Sequence, residues 1–266
     1  MDTSTTSSGP RAAVARLLTA AKAARPVERV CYAIGLLLIA AGLFHLAVLL
    51  ITGDTWIGPV SWRKPMTFGL SFGLTLITIA WVASYVRLAE RTRAWLLGLF
   101  AAACVLEVSL ITLQAWRRVP SHFNLSTPFD AVIARVLAVG GAVLIAVIAI
   151  LTVASFRRSP ARAPSMRLAV RAGLVSLDVG LLLGAVMIAT GISRAMSGDQ
   201  QSAYVVGGEL KLAHGVALHG VLVLPALAWL LSRTDREETQ RFRLVLLAVV
   251  GYAVLCAAAI VWTATR

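Results

Sequence analysis

The sequence predicts an all-α, polytopic bundle of seven transmembrane helices with its N-terminus inside and its C-terminus outside, and three observations predict it. Of the 266 residues, 59% are hydrophobic and only 14% charged, against roughly 45–50% and about 25% in a soluble domain. The apolar excess gathers into blocks of about 20 residues, the length an α-helix needs to cross a bilayer. Seventeen of the 25 lysines and arginines fall in the tail and the connections of one side, the bias of cytoplasmic loops. These features exclude a soluble enzyme, a disordered chain and a disulfide scaffold. A membrane β-barrel would show alternating segments of about ten residues, and none occur. The net charge of +13 is therefore read as topology, not as a nucleic-acid surface.

The elements follow in order. Residues 1–29 begin Ser/Thr-rich and turn basic through Arg11, Arg16, Lys22, Arg25 and Arg29. They predict a partly disordered cytoplasmic tail with an amphipathic turn near Val14–Ala24, ahead of a transmembrane domain over 30–266 whose first block acts as an uncleaved signal anchor. The seven spans are predicted near Val30–Ile51, Met66–Arg87, Ala94–Gln114, Phe129–Phe156, Arg167–Ile192, Glu209–Leu231 and Phe242–Thr263. Pro59, Pro65, Pro120, Pro128, Pro160 and Pro164 fall in connections, whereas Pro225 lies inside the sixth span and predicts a kink there. Trp56, Trp62, Trp95, Trp116, Trp229 and Trp262 fall near span ends, as interfacial anchors do. Cys31, Cys104 and Cys256 lie in apolar stretches without metal-ligand spacing and read as packing residues.

Ionisable side chains inside a span cost roughly 2.5–3.5 kcal/mol each on insertion scales, so each calls for an explanation. At 1.5 Å per residue, His45, Glu107, Arg135 and His214 all lie roughly 8–11 Å below the outer boundary. Ser71 shares that depth as a candidate hydroxyl, and Gln114 follows Glu107 on the same helix face. His122 and Asp130 belong to the connection between the third and fourth spans or to its first turn, while His219 and Asp178 approach mid-membrane. The convergence predicts an outward-facing His/Glu/Arg polar site. Glu107 and Arg135, at equal depth on neighbouring helices, are expected to form a structural ion pair. Asp178 is open to three readings: a protonated acid, a proton relay, or a partner of Arg135 or His219.

His214 and His219 are five residues apart, which turns their imidazoles roughly 140° from one another on a regular helix. They should face different neighbours unless a π-bulge realigns them. Haem, by contrast, takes axial imidazoles from different helices, and His45 with His214 would form such a pair. Arg63, Lys64, Arg117 and Arg118 stand on the side that membrane proteins keep poor in cations, which predicts contact with an anion, either a lipid headgroup or a small ligand. Gly69-Leu70-Ser71-Phe72-Gly73 formally matches a nucleophile elbow, but inside a span Gly69 and Gly73, like Gly180 and Gly184, read as small-xxx-small helix packing.

Three stretches carry a resemblance: Ser61-Trp62-Arg63-Lys64-Pro65 with Phe68-Gly69-Leu70-Ser71; Gln114 to Arg117 with Ser121-His122-Phe123-Asn124 and Thr127-Pro128-Phe129-Asp130; and Gly208-Glu209-Leu210-Lys211 with Ala213-His214 and Leu218-His219-Gly220. The chain resembles an uncharacterised family of bacterial multi-pass membrane proteins with W-x-K-P, S-H-F-N-x-x-T-x-x-D and late H-x-x-x-x-H signatures. That resemblance implies the architecture, the positions of interest and a bacterial cytoplasmic membrane, and it supplies no activity. More faintly the chain is similar to the seven-helix membrane zinc hydrolases of the ceramidase and adiponectin-receptor type. This implies zinc on His122, His214 and His219, with Ser71 and Asp130 or Asp178 beside it, although here the histidine spacing is one residue longer and His122 falls in a connection. The functional expectation is a binding protein, transporter or proton-coupled carrier. The alternatives are a metal-dependent hydrolase of a lipid or amphiphile, with Glu107 or Asp130 as base, and a haem-binding redox or sensory protein.

Overall fold

The computed structural model describes residues 24–157, 163–206 and 208–265. Most of the expected tail, including nearly all of its amphipathic turn, lies outside the described residues. Among those residues the structure is helical, with seven helices long and apolar enough to cross a membrane. They are α1 (Pro26–Thr52), α2 (Arg63–Ala83), α3 (Glu90–Trp116), α4 (Pro128–Ser155), α5 (Pro164–Met196), α7 (Lys211–Leu231) and α8 (Glu238–Ala264), with a short α6 (Gln200–Val206) between α5 and α7. The chain is an integral membrane protein.

Local chemistry sets the helix ends. α1 starts four residues before the apolar block because Pro26 suits the first turn and the Glu28 carboxylate accepts from the Arg25 N–H at 3.1 Å. It stops at Gly53, whose φ of 63° turns the chain left-handed while its N–H returns to the Leu49 carbonyl. Thr127 caps α4 by accepting from the Asp130 N–H at 3.1 Å. α7 runs unbroken through Pro225, which is buried with its ring against Gly173 of α5.

Helices α2, α3, α4, α5 and α7 touch in succession, and α7 returns to α2, closing a ring. α1 lies outside on α2 and α3, and α8 outside on α5 and α7. The core runs through the ring on Leu76, Ile79, Leu97, Cys104, Ile148, Leu151, Leu174 and Leu177. Water gives no drive to helix association inside lipid, so close backbone approach and dispersion must supply it. Two pairs do this with glycine. In α1–α2, Gly35 and Gly42 meet Gly73 and Gly69 backbone to backbone, and in α5–α7, Gly180 lies under Leu218 and Gly184 under the His214 ring. Trp62, at the start of α2, is 5% exposed and packs with Leu49, Met66 and Ala115.

The two ends of the bundle differ. One carries the 53–62 and 117–127 connections and α6, and is here called the plugged end. The other is rich in arginine, and there Arg93 is buried with Glu28 at 3.6 Å and donates to the Ala83 and Val86 carbonyls at the end of α2. Arg25 joins Glu28 at 3.1 Å and Glu90 at 2.8 Å, making a balanced cluster that ties α1 to α3.

Candidate functional site at the plugged end

The 117–127 connection is a short segment that folds inward. Ser121, Phe123 and Asn124 are buried, and two non-glycine residues hold left-handed backbone, Arg118 at φ 56° and Phe123 at φ 61°. A bulky residue adopts that conformation only where its surroundings hold it. For Phe123 the holder is a slot at α5 and α6: the tip of its ring lies against Gly191, with Ala195 and Ala203 beside it. No side chain would fit at Gly191 without displacing that ring.

The base of this connection is pinned by a four-residue network. Asp130 accepts from Gln114 at 2.8 Å, from the Thr127 hydroxyl at 2.7 Å and from Arg117 at 2.5 Å, and Arg117 also donates to the Gln114 amide oxygen. Gln114 and Asp130 are both almost fully buried. Asp130 is therefore not placed as a catalytic base, because its oxygens are taken up in fixing the connection. Arg117 is likewise not a free anion contact. Nor are two of its companions: Arg118 pairs with Asp54 at 2.8 Å and lies over Trp62, and Arg63 donates to the Trp56 carbonyl at 2.7 Å. The Arg118 contact, with the Thr55 N–H behind it, holds the Asp54 carboxyl below the usual carboxylate range.

Lys64 is the exception among the four. Its side chain makes no hydrogen bond or ion pair with any described residue, and it lines a small pocket with Pro59, Val60, Ser61, Ile111, Ala115, Val119 and Ser121. Arg63, Lys211, Glu107 and His122 all lie within Coulombic reach of it. Three cations from α2 and α7 thus face a region with one nearby carboxylate. That carboxylate, Glu107, is 4% exposed and sits against the backbone of Gly140, where a Cβ would come within 2.6 Å of its oxygen. Gly140 is thus where α4 makes room for Glu107. His122 stands nearby, its Nδ1 3.0 Å from the Ser121 hydroxyl and its ring in contact with those of Phe68 and Phe123. Burial pushes the His122 pKa well below the usual histidine value, and the charge of Lys64 pushes it the same way, so the ring is neutral at pH 7.

The remaining expected members lie elsewhere. Glu107 and Arg135 do not pair: the inward face of α4 carries Ile133, Leu137 and Gly140, and Arg135 is turned roughly 160° from both Ile133 and Leu137 and is exposed. Equal depth placed the two charges at one level, but azimuth separates them. Ser71 is exposed too, because Gly69 and Gly73 take the face of α2 that meets α1, and it does not join the site. Asp178 accepts from the Thr152 hydroxyl at 2.6 Å and bridges α4 to α5, contacting neither Arg135 nor His219.

The histidines separate on an unbroken α7. His214 is half-buried with Nδ1 2.7 Å from the Gly180 carbonyl, whereas His219 is exposed with Nδ1 2.6 Å from the Gly215 carbonyl of its own helix. No three His, Cys, Asp or Glu side chains among the described residues come together as a metal site. The zinc set of His122, His214 and His219 therefore does not fit. The haem pair does not fit either, because both His45 nitrogens are engaged, Nδ1 by the Ala41 carbonyl at 2.7 Å and Nε2 by the Trp116 indole N–H at 3.3 Å. Trp62 stacks on the His45 ring, which makes His45 part of an aromatic cluster joining α1, α2 and α3.

Sequence reasoning missed two groups. The buried Glu28–Arg93 pair joins residues 65 positions apart in the chain, and no local pattern signals it. Lys211 stands in the sequence only as part of the 208–211 stretch, although in the fold it brings a second lysine within reach of Lys64. No protein-family model, curated protein or solved structure matches the chain. Function must be argued from the site.

Proposed function

We propose that this integral membrane protein binds a small anion at the plugged end and couples that binding to movement of a proton. The observation that carries the reading is Lys64, a cation on the wall of a small, partly open pocket whose side chain lacks a partner among the described residues while Arg63, Arg117 and Arg118 each have one. Unpaired charge near lipid is costly, and an incoming anion would offset that cost. Lys211 and Arg63 add positive potential at the same place, and the Ser61 and Ser121 hydroxyls beside Lys64 offer polar contact. Glu107 supplies the coupling: when an anion takes over the charge of Lys64, a proton on Glu107 keeps the net charge of the region constant. His122, half-buried next to the pocket residue Ser121, is neutral and does not compete as a cation. The lysine and arginine distribution supports an orientation with this end outside the cytoplasm and the C-terminus on the same side.

The test is proton flux. The full chain is reconstituted into liposomes holding a pH-sensitive dye, and acetate, succinate, bicarbonate or phosphate is added outside. One of them should drive a change in internal pH with the wild type. K64Q should abolish it, and E107Q should abolish proton movement while leaving anion binding in place. Equal flux in wild type, K64Q and protein-free liposomes for every anion would overturn the reading.

A further inference from the structure

At the opposite end, the start of α5 meets the ends of α2 and α4 around a shallow, open cleft. Four arginines line it, Arg87, Arg157, Arg167 and Arg171, together with Tyr85. Among the described residues, no carboxylate lines it. Arg171 is held in place from behind: its Nε donates to the Ser155 carbonyl at 3.0 Å, and its guanidinium lies over the Phe156 ring. The first turn of α5 faces the same cleft through Met166 and Arg167, so the positive end of that helix adds to the field.

An excess of arginine at this end is what membrane topology demands, but topology does not require arginines from three helix ends to share one cleft. In the neighbouring cluster Arg25 and Arg93 are matched by Glu28 and Glu90, whereas the side chains of Arg87 and Arg157 make no ion pair with any described residue. Forked, permanently charged guanidinium groups on several sides of a cleft suit an anion with oxygens pointing in several directions, which is the chemistry of phosphate. We infer that this cleft is a phosphate-binding site, separate from the Lys64 pocket and independent of it. Its position at a helix end, level with headgroups, lets the phosphate belong to an anionic lipid or to a soluble molecule.

Native mass spectrometry of the delipidated full chain separates the two sources, with one arm titrating dioleoylphosphatidic acid and the other inorganic pyrophosphate. Each arginine near such a charge supports about a fivefold change in affinity, so R87Q/R157Q should weaken binding about 25-fold. Both side chains are exposed and neither makes a described hydrogen bond, so the variant should melt like wild type. If it does not fold, the single variants should each lose about fivefold. R233Q, whose guanidinium lies over Trp229 at the same end and outside the cleft, should bind as wild type does. A loss confined to the lipid arm assigns the site to a headgroup, and a loss in the pyrophosphate arm assigns it to phosphate as such. Wild type that binds neither probe, or a double variant no weaker than R233Q in both arms, overturns the inference.

Discussion

Replacing Gly69 by alanine tests how the bundle is held together. A Cβ at Gly69 would sit 2.7 Å from both the N and the Cα of Gly42 and 2.9 Å from the Leu38 carbonyl oxygen. Carbon atoms pack best at about 3.5–4.0 Å, so α1 and α2 would have to part by about 0.8 Å. No flexible side chain stands between them to give way, because the obstructing atoms are backbone. Overpacking of this kind costs about 1–3 kcal/mol, and backbone displacement puts Gly69→Ala at the upper end. At about 2–4 °C per kcal/mol for a chain of this size, the melting point should fall by about 4–12 °C. Gly98→Ala is the control: nothing lies within 4 Å of its added carbon, and alanine is favoured over glycine in a helix by about 0.5–1 kcal/mol. Fluorescence-monitored unfolding of the purified variants in one detergent gives both values. If Gly69→Ala melts with Gly98→Ala, the glycine contact is not what joins α1 to α2.

Three further outcomes are expected. Breaking the buried pair at the arginine-rich end by Glu28→Gln should cost about 3–5 kcal/mol, and a melting cycle with Arg93→Met should be strongly non-additive; additive losses would mean that the two charges do not stabilise one another. His122 titrates far lower in the folded protein than in the unfolded one, so below pH about 6.5 only the unfolded chain takes up that proton. Its contribution to stability is therefore fully present above that pH and is lost as pH falls, with a slope of up to about 1.4 kcal/mol per pH unit that His122→Gln should remove from the pH–stability profile. A reporter that works only outside the cytoplasm should be active when fused after Arg266, and cytoplasmic activity would put the Lys64 pocket on the cytoplasmic face.

The fold was legible because lipid imposes a one-dimensional rule. Length and hydropathy mark a span wherever about twenty apolar residues run together, and each of the seven blocks became a helix. The site was legible in depth and not in direction. Counting from the span ends put Glu107, His45, His214 and Arg135 at one level, but only contacts between helices decide which of them face inward. Arg135 turned outward because Ile133, Leu137 and Gly140 fill the inward face of α4, and His45 turned into a tryptophan cluster. The 117–127 connection was the hardest to foresee. Its inward fold depends on Phe123 reaching Gly191, about seventy residues away in the chain, and no local pattern announces such a contact. Lys64 was in view as one of four cations, and what singled it out was the discovery that the other three have partners.

Direct binding to Lys64 decides the central claim. Isothermal titration of the full chain in detergent with acetate, succinate, bicarbonate and phosphate should find at least one that binds the wild type. K64Q should weaken that anion by about 10–100-fold, the worth of one charge-assisted hydrogen bond, while R135Q, altered on the lipid face, should bind as wild type does. Unchanged affinity in K64Q, or no binding of any of the four anions, would contradict the account.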